Sequence, residues 1–336
     1  MKLLIWGAGA IGGTIGAHLA RAGHDVTFVD RAADHVAAIN AHGLSITGPI
    51  AEFNVAAPAF TPYTVSGQWE IILLCVKAHD TADAARALAP TLSANGYVVS
   101  VQNGLNELVI AEIVGKPRTV GSFVNFGADY MEPGVVMYGG RGAVVLGEID
   151  GTLTPRVEAL HRTFSDFEPN AIITRNIWGF LWGKMAYGAQ LFVTALTNES
   201  IAAALADPAY RNLYIAIAQE VLAVATAQGV TPEAFNGFDP HAFMPHTDAA
   251  VSLQSLDEMV VFNSKSAKTH SGIWRDLAVR KRKTEADAQL GPIVSFGAKS
   301  GVPTPLTAKT IAMIHEIEDG VRPLQLANLD ELATLL

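Results

Sequence analysis

A glycine-rich turn, GAGAIG at residues 7–12, separates two segments of different periodicity near the start of the chain. KLLIW (2–6), which precedes the turn, is a short apolar run typical of a buried strand. Residues 13–22, which follow it, are predicted to be helical because Ile15 and Leu19 lie four apart and share one face. A strand, a glycine-rich turn and a helix in this order are typical of the doubly wound sheets that bind dinucleotides.

The three glycines of this turn have the spacing G-x-G-x-x-G, and each has its own physical task. Gly7 permits the tight turn, Gly9 lets a pyrophosphate approach the backbone, and Gly12 lets the helix pack on the strand. The free N–H groups at the start of the helix can then bind the phosphates. A glycine-rich turn without a ligand is the alternative, but the flanking strand and helix favour a dinucleotide site. The predicted cofactor-binding residues of the turn are Gly7, Ala8, Gly9, Ala10, Ile11 and Gly12.

An acid–base pair, Asp30–Arg31, ends the second predicted strand, DVTFVD at 25–30. A carboxylate at this position accepts hydrogen bonds from the ribose hydroxyls of the cofactor and repels a 2′-phosphate. An arginine has the opposite effect, because its charge attracts that phosphate. The pair therefore favours NAD(H) as the cofactor through Asp30 and leaves NADP(H) open through Arg31.

Length and composition restrict the class of protein further. A chain of 336 residues predicts two domains, and 50% hydrophobic with 16% charged residues suits a soluble, well-buried enzyme. A net charge of −9 argues against a nucleic-acid partner, which would need clustered lysine and arginine. A single cysteine, Cys75, fits the reducing cytoplasm. The N-terminal apolar run is not expected to be a signal peptide, and no segment approaches the roughly 18 apolar residues of a membrane helix.

The predicted secondary structure changes near Arg175. Before it, apolar strand-like segments alternate with helical ones, which predicts a doubly wound parallel sheet. The clearest of these strand-like segments are 71–76, 96–101, 119–124 and the pair within 135–148, which is expected to form a hairpin. After it the chain is mostly helical, with helices expected at 248–263, 275–301 and from Pro305 onward. We therefore expect an α/β fold in which a Rossmann-type dinucleotide-binding domain (1–174) precedes an all-α domain for substrate binding and dimerisation (175–336).

Polar side chains follow two of the apolar strands, at the edge where open α/β sheets bind ligands. Lys77 follows IILLCV, and Gln102 and Asn103 follow GYVVSV. Lys77 could also be an ordinary solvated loop residue.

Lys184 is a stronger candidate for a catalytic residue, because it lies in a long apolar helix with hardly any other charge. Desolvation there would lower its pKa and suit it to donate a proton near neutral pH; a lysine extended toward solvent at a domain edge is the alternative. The histidines lack the spacing of metal ligands, so no metal site is expected.

Taken together, these motifs resemble the ketopantoate reductase (2-dehydropantoate 2-reductase) family over nearly the whole chain. The resemblance rests on GAGAIG, VKAHDT, VQNGLNE, EPGVVMYGG…LGE, LWGKMA and RKTEAD, in that order. It implies a Rossmann domain followed by a helical domain, with the active site between them. It also implies that Lys184 is the general acid, that Asn103 contacts cofactor and substrate, and that Lys77 assists. Glu285 would contact the cofactor or orient the site, and Ala128 would contact the cofactor.

The chain departs from the family pattern at the positions expected to bind the substrate. Typical members have asparagines four and eight residues after the helical lysine, where this chain has Gly188 and Phe192. A serine and a glutamine of the Ser-Ser-Met-x-Gln-Asp pattern are replaced by Gly272 and Arg275. The spacing from Asp276 to Glu285 is one residue longer, and Asp30 replaces a small residue. The residues predicted to bind substrate are Lys184, Gly188, Phe192, Ser271, Trp274 and Arg275.

These departures predict a 2-oxo acid substrate that is more apolar than ketopantoate, or at least different from it. Lost amide and hydroxyl groups would leave a polar substrate tail unpaired. The predicted reaction is NAD(P)H-dependent reduction of a 2-oxo acid to a 2-hydroxy acid. One alternative is a ketopantoate reductase proper, serving pantothenate synthesis, and another is an NAD-dependent D-2-hydroxyacid dehydrogenase on the same fold. A dinucleotide-binding regulatory protein without turnover is the alternative of another class. A homodimer through the apolar helical half is plausible from the sequence.

Overall fold

The computed structural model describes residues 1–265 and 269–336. The chain divides into two compact units, Met1–Ile177 and Trp178–Leu336. The first unit contains the strands and the second is helical, so the predicted fold class, a Rossmann-type sheet followed by helices, is confirmed.

The strands of the first unit form two sheets. In chain order they are β1 (Lys2–Trp6), β2 (Asp25–Val29), β3 (Leu44–Thr47), β4 (Phe53–Val55), β5 (Ala59–Phe60), β6 (Trp69–Leu74), β7 (Leu92–Ser100), β8 (Thr119–Val124), β9 (Gly127–Glu132), β10 (Val135–Gly140), β11 (Val144–Glu148) and β12 (Ile172–Ile173). Its helices are α1 (Ala10–Arg21), α2 (Ala33–His42), α3 (Thr81–Leu88), α4 (Asn106–Val114) and α5 (Pro155–Ser165), and α6 (Ile177–Thr194) leads into the second unit.

The larger sheet has the order β12-β11-β8-β7-β6-β1-β2-β5. In this spatial order, neighbouring strands are parallel all the way from β8 to β5 at the edge of the sheet. By contrast, β11 pairs with β8 in the antiparallel direction. Along β1, Leu3 and Ile5 belong to one apolar core while Leu4 and Trp6 belong to another. Because successive side chains of a strand point to opposite faces, both faces of the sheet are covered. The apolar strands of the sequence are therefore the buried centre of a doubly wound sheet.

The hairpin predicted within 135–148 is wrong. β10 lies in a smaller sheet of order β4-β3-β10-β9, where it pairs antiparallel with β9 and parallel with β3. β11 lies in the large sheet beside β8. The tight turn instead joins β9 to β10 at Gly134, whose φ of +80° suits glycine. Periodicity identified both segments as strands, but strand pairing depends on long-range contacts that periodicity does not report.

The second unit consists of helices within its described residues. After α6 these are α7 (Ile201–Ala206), α8 (Arg211–Ala227), α9 (Ala249–Ser264), α10 (Gly272–Trp274), α11 (Ala286–Ser300), α12 (Pro305–Glu318) and α13 (Ala327–Ala333). In the described part of the chain, no helix combines the length and the apolar character needed to cross a bilayer.

The continuous helix predicted over 275–301 is also wrong. A π-helical turn over Arg275–Val279 follows α10, and irregular chain then leads to α11. The buried carboxylate of Asp276 accepts hydrogen bonds from Arg280 and Arg282, which draws the basic segment back over the end of the turn. This local ion pairing overrides the helical tendency of the segment.

Candidate dinucleotide and substrate sites

The glycine-rich turn has the shape that a dinucleotide requires. Gly7 has a φ of +102°, and a Cβ there would come within 2.9 Å of the backbone of Cys75 and Val76. A Cβ on Gly12 would overlap the carbonyl oxygen of Gly7. A Cβ on Gly9 would meet nothing within 4 Å, so this position is open on the side of its missing side chain. The turn therefore fits a bound pyrophosphate, with Gly9 as the point of closest approach.

The helix of this site begins at Ala10 with Gly9 as its N-cap, three residues earlier than the sequence predicted. The N–H groups of Ala10, Ile11 and Gly12 consequently belong to the first helical turn, where they lack intrahelical partners. The six residues at 7–12 that are predicted to bind the cofactor thus lie in the turn or at this helix N-terminus, which favours anionic phosphate.

Asp30 lies just beyond β2, and both of its carboxylate oxygens accept backbone hydrogen bonds. The N–H of Ala8 donates to Oδ2 and the N–H of Ala32 donates to Oδ1, each at 2.9 Å. Asp30 therefore braces the glycine-rich turn, a task that the sequence did not predict. A carboxylate has further lone pairs, so ribose binding is compatible with this arrangement.

Arg31 is directed toward the start of α3. Its Nη1 donates to Oδ1 of Asp80 at 3.1 Å, and 76% of the Arg31 side chain is exposed. Exposed ion pairs of this kind contribute little free energy. The contact places the Asp80 carboxylate beside the guanidinium group of Arg31.

The loops that follow β6 and β7 carry Lys77 and Asn103, and a buried network joins these two loops. Gln102 donates from Nε2 to the carbonyl of Val76 and to the hydroxyl of Thr81, both at 2.8 Å. Thr81 donates to Asn106, whose amide donates to the carbonyl of Asn103 at 2.7 Å. Because β6 and β7 are adjacent and parallel, their carboxyl ends lie at one edge of the sheet. The positioning role of Thr81 and Asn106 was missed, since neither has a motif of its own.

Ala128 lies in β9 of the smaller sheet, opposite Tyr138 of β10. It is half-buried. Its assignment as a cofactor contact stays a prediction.

In the helical unit, Lys184 lies on α6 and is partly accessible. Burial lowers the pKa of its ammonium group to about 8, while the negative charge of Glu285 acts in the opposite direction. Glu285 immediately precedes α11 rather than lying within a helix. The structure thus brings these two predicted residues into electrostatic contact. A lysine with a proton of this acidity is suited to general acid chemistry near neutral pH.

The remaining predicted substrate residues have different surroundings. Gly188 lies one turn beyond Lys184, and a Cβ there would meet nothing within 4 Å. Phe192, one further turn along, has no exposed surface. Its assignment as a substrate contact stays a prediction.

The segment around Trp274 is held by local contacts. Ser271 caps α10, because its hydroxyl oxygen accepts from the N–H of Trp274 at 3.1 Å. The Trp274 ring stacks on His270 at 4.0 Å between centroids and donates from Nε1 to Asn198. A Cβ on Gly272 would meet nothing within 4 Å, and Arg275 begins the π-helical turn. Ser271 is therefore engaged in capping, whereas Gly272 leaves open space. Among the described residues, no three His, Cys, Asp or Glu side chains group as a metal site would require.

Comparison with known proteins agrees with these features. The ketopantoate reductase PanE/ApbA family model matches residues 3–151, and its C-terminal model matches residues 176–318. The chain belongs to the ketopantoate reductase family.

Relatives and solved structures cover almost the full chain. The 2-dehydropantoate 2-reductase of Pyrococcus horikoshii is 27% identical over 95% of this chain and 98% of that protein. A PanE/ApbA family ketopantoate reductase from Ralstonia eutropha has a TM-score of 0.80 and 28% identity, covering 96% of this chain and all of that one. A D-mandelate dehydrogenase solved with NADH and anilino(oxo)acetate has a TM-score of 0.83 at 23% identity, covering 96% of this chain and all of that one, which shows a shared fold.

Proposed function

We propose that this chain is an NAD(P)H-dependent oxidoreductase that reduces a 2-oxo acid to the corresponding 2-hydroxy acid. The observation that carries the proposal is Lys184, a partly accessible lysine whose pKa is lowered to about 8 by burial. It occurs in a chain whose first unit has a turn shaped for a dinucleotide. Family membership supports the same chemistry.

The residues of the glycine-rich turn and Asp30 would hold the dinucleotide, which supplies a hydride to the carbonyl carbon of the substrate when bound. As that carbon gains the hydride, its oxygen develops negative charge. The ammonium group of Lys184 stabilises this oxygen and then transfers one Nζ proton to it. Glu285 favours the protonated lysine beforehand. Lys184 leaves the reaction as a neutral amine and regains its proton from solvent, while Asn103 and Lys77 orient the substrate and cofactor.

We infer further that the substrate is bulkier and more apolar than ketopantoate. Gly188 and Gly272 both leave open space where the family pattern has asparagine and serine. Removing those polar groups lowers the affinity for a polar tail and makes room for a larger side chain. Arg275 supplies a cation suited to a bidentate pair with the substrate carboxylate.

We propose NAD(H) as the preferred cofactor. Asp30 repels a 2′-phosphate, and Arg31 is engaged with Asp80. An NAD-dependent D-2-hydroxyacid dehydrogenase is therefore the second candidate function, and the fold shared with D-mandelate dehydrogenase is compatible with it. A dinucleotide-binding regulator without turnover is disfavoured, because such a protein would not need the acidified ammonium group of Lys184. Cytoplasmic location and a homodimer remain predictions from the sequence, and size-exclusion chromatography tests the latter.

The test is a screen of purified protein against ketopantoate and 2-oxo acids with aliphatic and aromatic side chains, each with NADH and NADPH. We expect the highest kcat/KM for an apolar 2-oxo acid with NADH. A clear preference for ketopantoate would contradict the substrate inference and indicate a ketopantoate reductase proper. Tight cofactor binding without oxidation by any 2-oxo acid would instead favour the regulator.

A further inference from the structure

His35 of α2 is completely buried, and both of its ring nitrogens have backbone partners. Nε2 lies 2.9 Å from the carbonyl oxygen of Ala8, and the N–H of Gly134 donates to Nδ1 at 2.9 Å. A carbonyl oxygen only accepts hydrogen bonds and a peptide N–H only donates them. The ring is therefore the neutral form that carries its proton on Nε2.

The contact between Nε2 and the Ala8 carbonyl holds the peptide group that joins Ala8 to Gly9, and the side chain that makes it comes from α2. The N–H of Ala8 donates to Asp30 at 2.9 Å, so Ala8 is fixed on both of its polar groups. A trans peptide is planar, and its C=O and N–H point in opposite directions. With the Ala8 carbonyl directed to the buried His35, the N–H of Gly9 is directed away from it. Gly9 is the open glycine of the turn.

We propose that His35 is a positioning residue that aims the N–H of Gly9 at the pyrophosphate of the dinucleotide. The inference rests on the proposed cofactor site and adds a residue that lies outside the glycine motif. The other ring nitrogen anchors the imidazole on the turn between β9 and β10, where the carbonyl of Gly134 accepts a hydrogen bond from the N–H of Ser45 in β3. The rings of Tyr130 and His35 also pack edge to face, at 5.1 Å between centroids. The smaller sheet thereby braces the cofactor turn through one side chain.

Two substitutions separate this role from general packing. His35→Asn keeps an acceptor near the Nδ1 position for Gly134 but is too short to reach Ala8. His35→Gln places an amide donor near the Nε2 position and restores the contact with Ala8. His18→Asn is the matched control, since His18 also bonds a backbone carbonyl, that of Thr14, and contacts Phe53 without touching the turn.

The measurements are the Kd of NADH and of NADPH by fluorescence titration, the melting temperature, and hydrogen exchange of the Ala8 amide, whose N–H donates to Asp30, in the free protein. For His35→Asn we expect Kd to rise about 5- to 10-fold for both cofactors, as for loss of one hydrogen bond. The ratio of the NADH and NADPH dissociation constants should stay unchanged, because the pyrophosphate is common to both cofactors. Exchange of the Ala8 amide should accelerate, because the turn is then held on one side only. His35→Gln should recover most of the affinity, and His18→Asn should bind as the wild type does.

A wild-type Kd in folded His35→Asn, or equal affinities for the Asn and Gln variants, would overturn the positioning role. Equal weakening by His18→Asn at the same loss of melting temperature would overturn it too. If His35→Asn does not fold, Kd and Ala8 exchange in His35→Gln decide instead: values near the wild type are expected, and weakened binding by folded His35→Gln would overturn the role. Failure of the wild-type protein to bind either cofactor would be a failure of the proposed function, which is a distinct result.

Discussion

At the scale of single residues, Lys184 is the proposed general acid of the chemical step. The sequence predicted its acidity from an isolated charge in an apolar helix, and the structure adds Glu285 as the charge that opposes the shift. Two glutamates of the chain differ in their surroundings. The charge of Glu285 acts on Lys184, whereas Glu107 of α4 is completely buried.

Replacement of the lysine tests the general acid. Lys184→Ala should lower kcat by about 10²- to 10⁴-fold, because no group then protonates or stabilises the substrate oxygen. The Kd of the cofactor should remain nearly unchanged, since the turn residues hold it. Steady-state kinetics and fluorescence titration on the same preparation check both statements, and retained turnover would refute the assignment.

The pH dependence of the reduction should report the same proton. The reaction needs protonated Lys184, so kcat/KM should fall as the pH rises through about 8. Glu285→Gln removes the charge that raises this pKa, so the decline should move to lower pH. A rate that is flat from pH 7 to 10 in the wild type would contradict the proton donor.

Glu107 gives a prediction about stability. Burial raises the pKa of its carboxyl group from 4.5 to about 8. Between these values the folded protein keeps a proton that the unfolded chain releases, so this group makes the unfolding free energy fall as pH rises from about 4.5 to 8. The unfolding free energy of Glu107→Gln should therefore rise relative to that of the wild type as the pH increases over this range. At pH 8 this relative gain should exceed about 1.4 kcal/mol.

Urea denaturation at pH 5 and pH 8 measures that difference. Glu112→Gln, an exposed position on the same helix, is the control. Parallel pH profiles for the wild type and Glu107→Gln would show that the carboxyl group is ionised in the folded protein.

At the scale of elements, the strand–turn–helix segment at the N-terminus could be predicted almost completely. Its signals are local: glycine spacing, an apolar run and a helical period lie within about twenty residues. The prediction of a hairpin within 135–148 was wrong because strand pairing depends on contacts between distant segments. Each strand was recognised, but β10 pairs with β3, some ninety residues earlier in the chain. The prediction of a continuous helix over 275–301 was wrong because the side chain of Asp276 accepts hydrogen bonds from Arg280 and Arg282.

Two of the three glycines of the turn, Gly9 and Gly12, predict different effects of substitution by alanine. Gly12→Ala should destabilise the protein by about 1–3 kcal/mol, because its Cβ would overlap the Gly7 carbonyl. Gly9→Ala should leave stability nearly unchanged and weaken cofactor binding, because its Cβ enters open space that the pyrophosphate would occupy. Denaturation and cofactor titration of both variants distinguish these effects. A stable Gly12→Ala or a Gly9→Ala with full affinity would contradict this description of the turn.

At the scale of the whole molecule, the chain divides into one unit that contains the strands and one helical unit. A ligand that binds only the folded protein stabilises it according to its concentration relative to Kd. NADH at about 100 times its Kd should add roughly 2.7 kcal/mol to the unfolding free energy. At equal concentrations, NADPH should raise the melting temperature less, because of Asp30. A larger shift with NADPH would reverse the cofactor preference.

The sequence by itself determined the fold class, the dinucleotide turn and the candidate lysine, because each is encoded in neighbouring residues or in a recognisable motif order. Only the tertiary structure decided which strands pair, where the helix after Arg275 breaks, and that Phe192 is interior while Gly188 and Gly272 face open space. It also revealed His35, which reaches Ala8 and Gly134 across 27 and 99 positions of sequence. Such contacts depend on how distant segments pack, and no local pattern of residues records that packing.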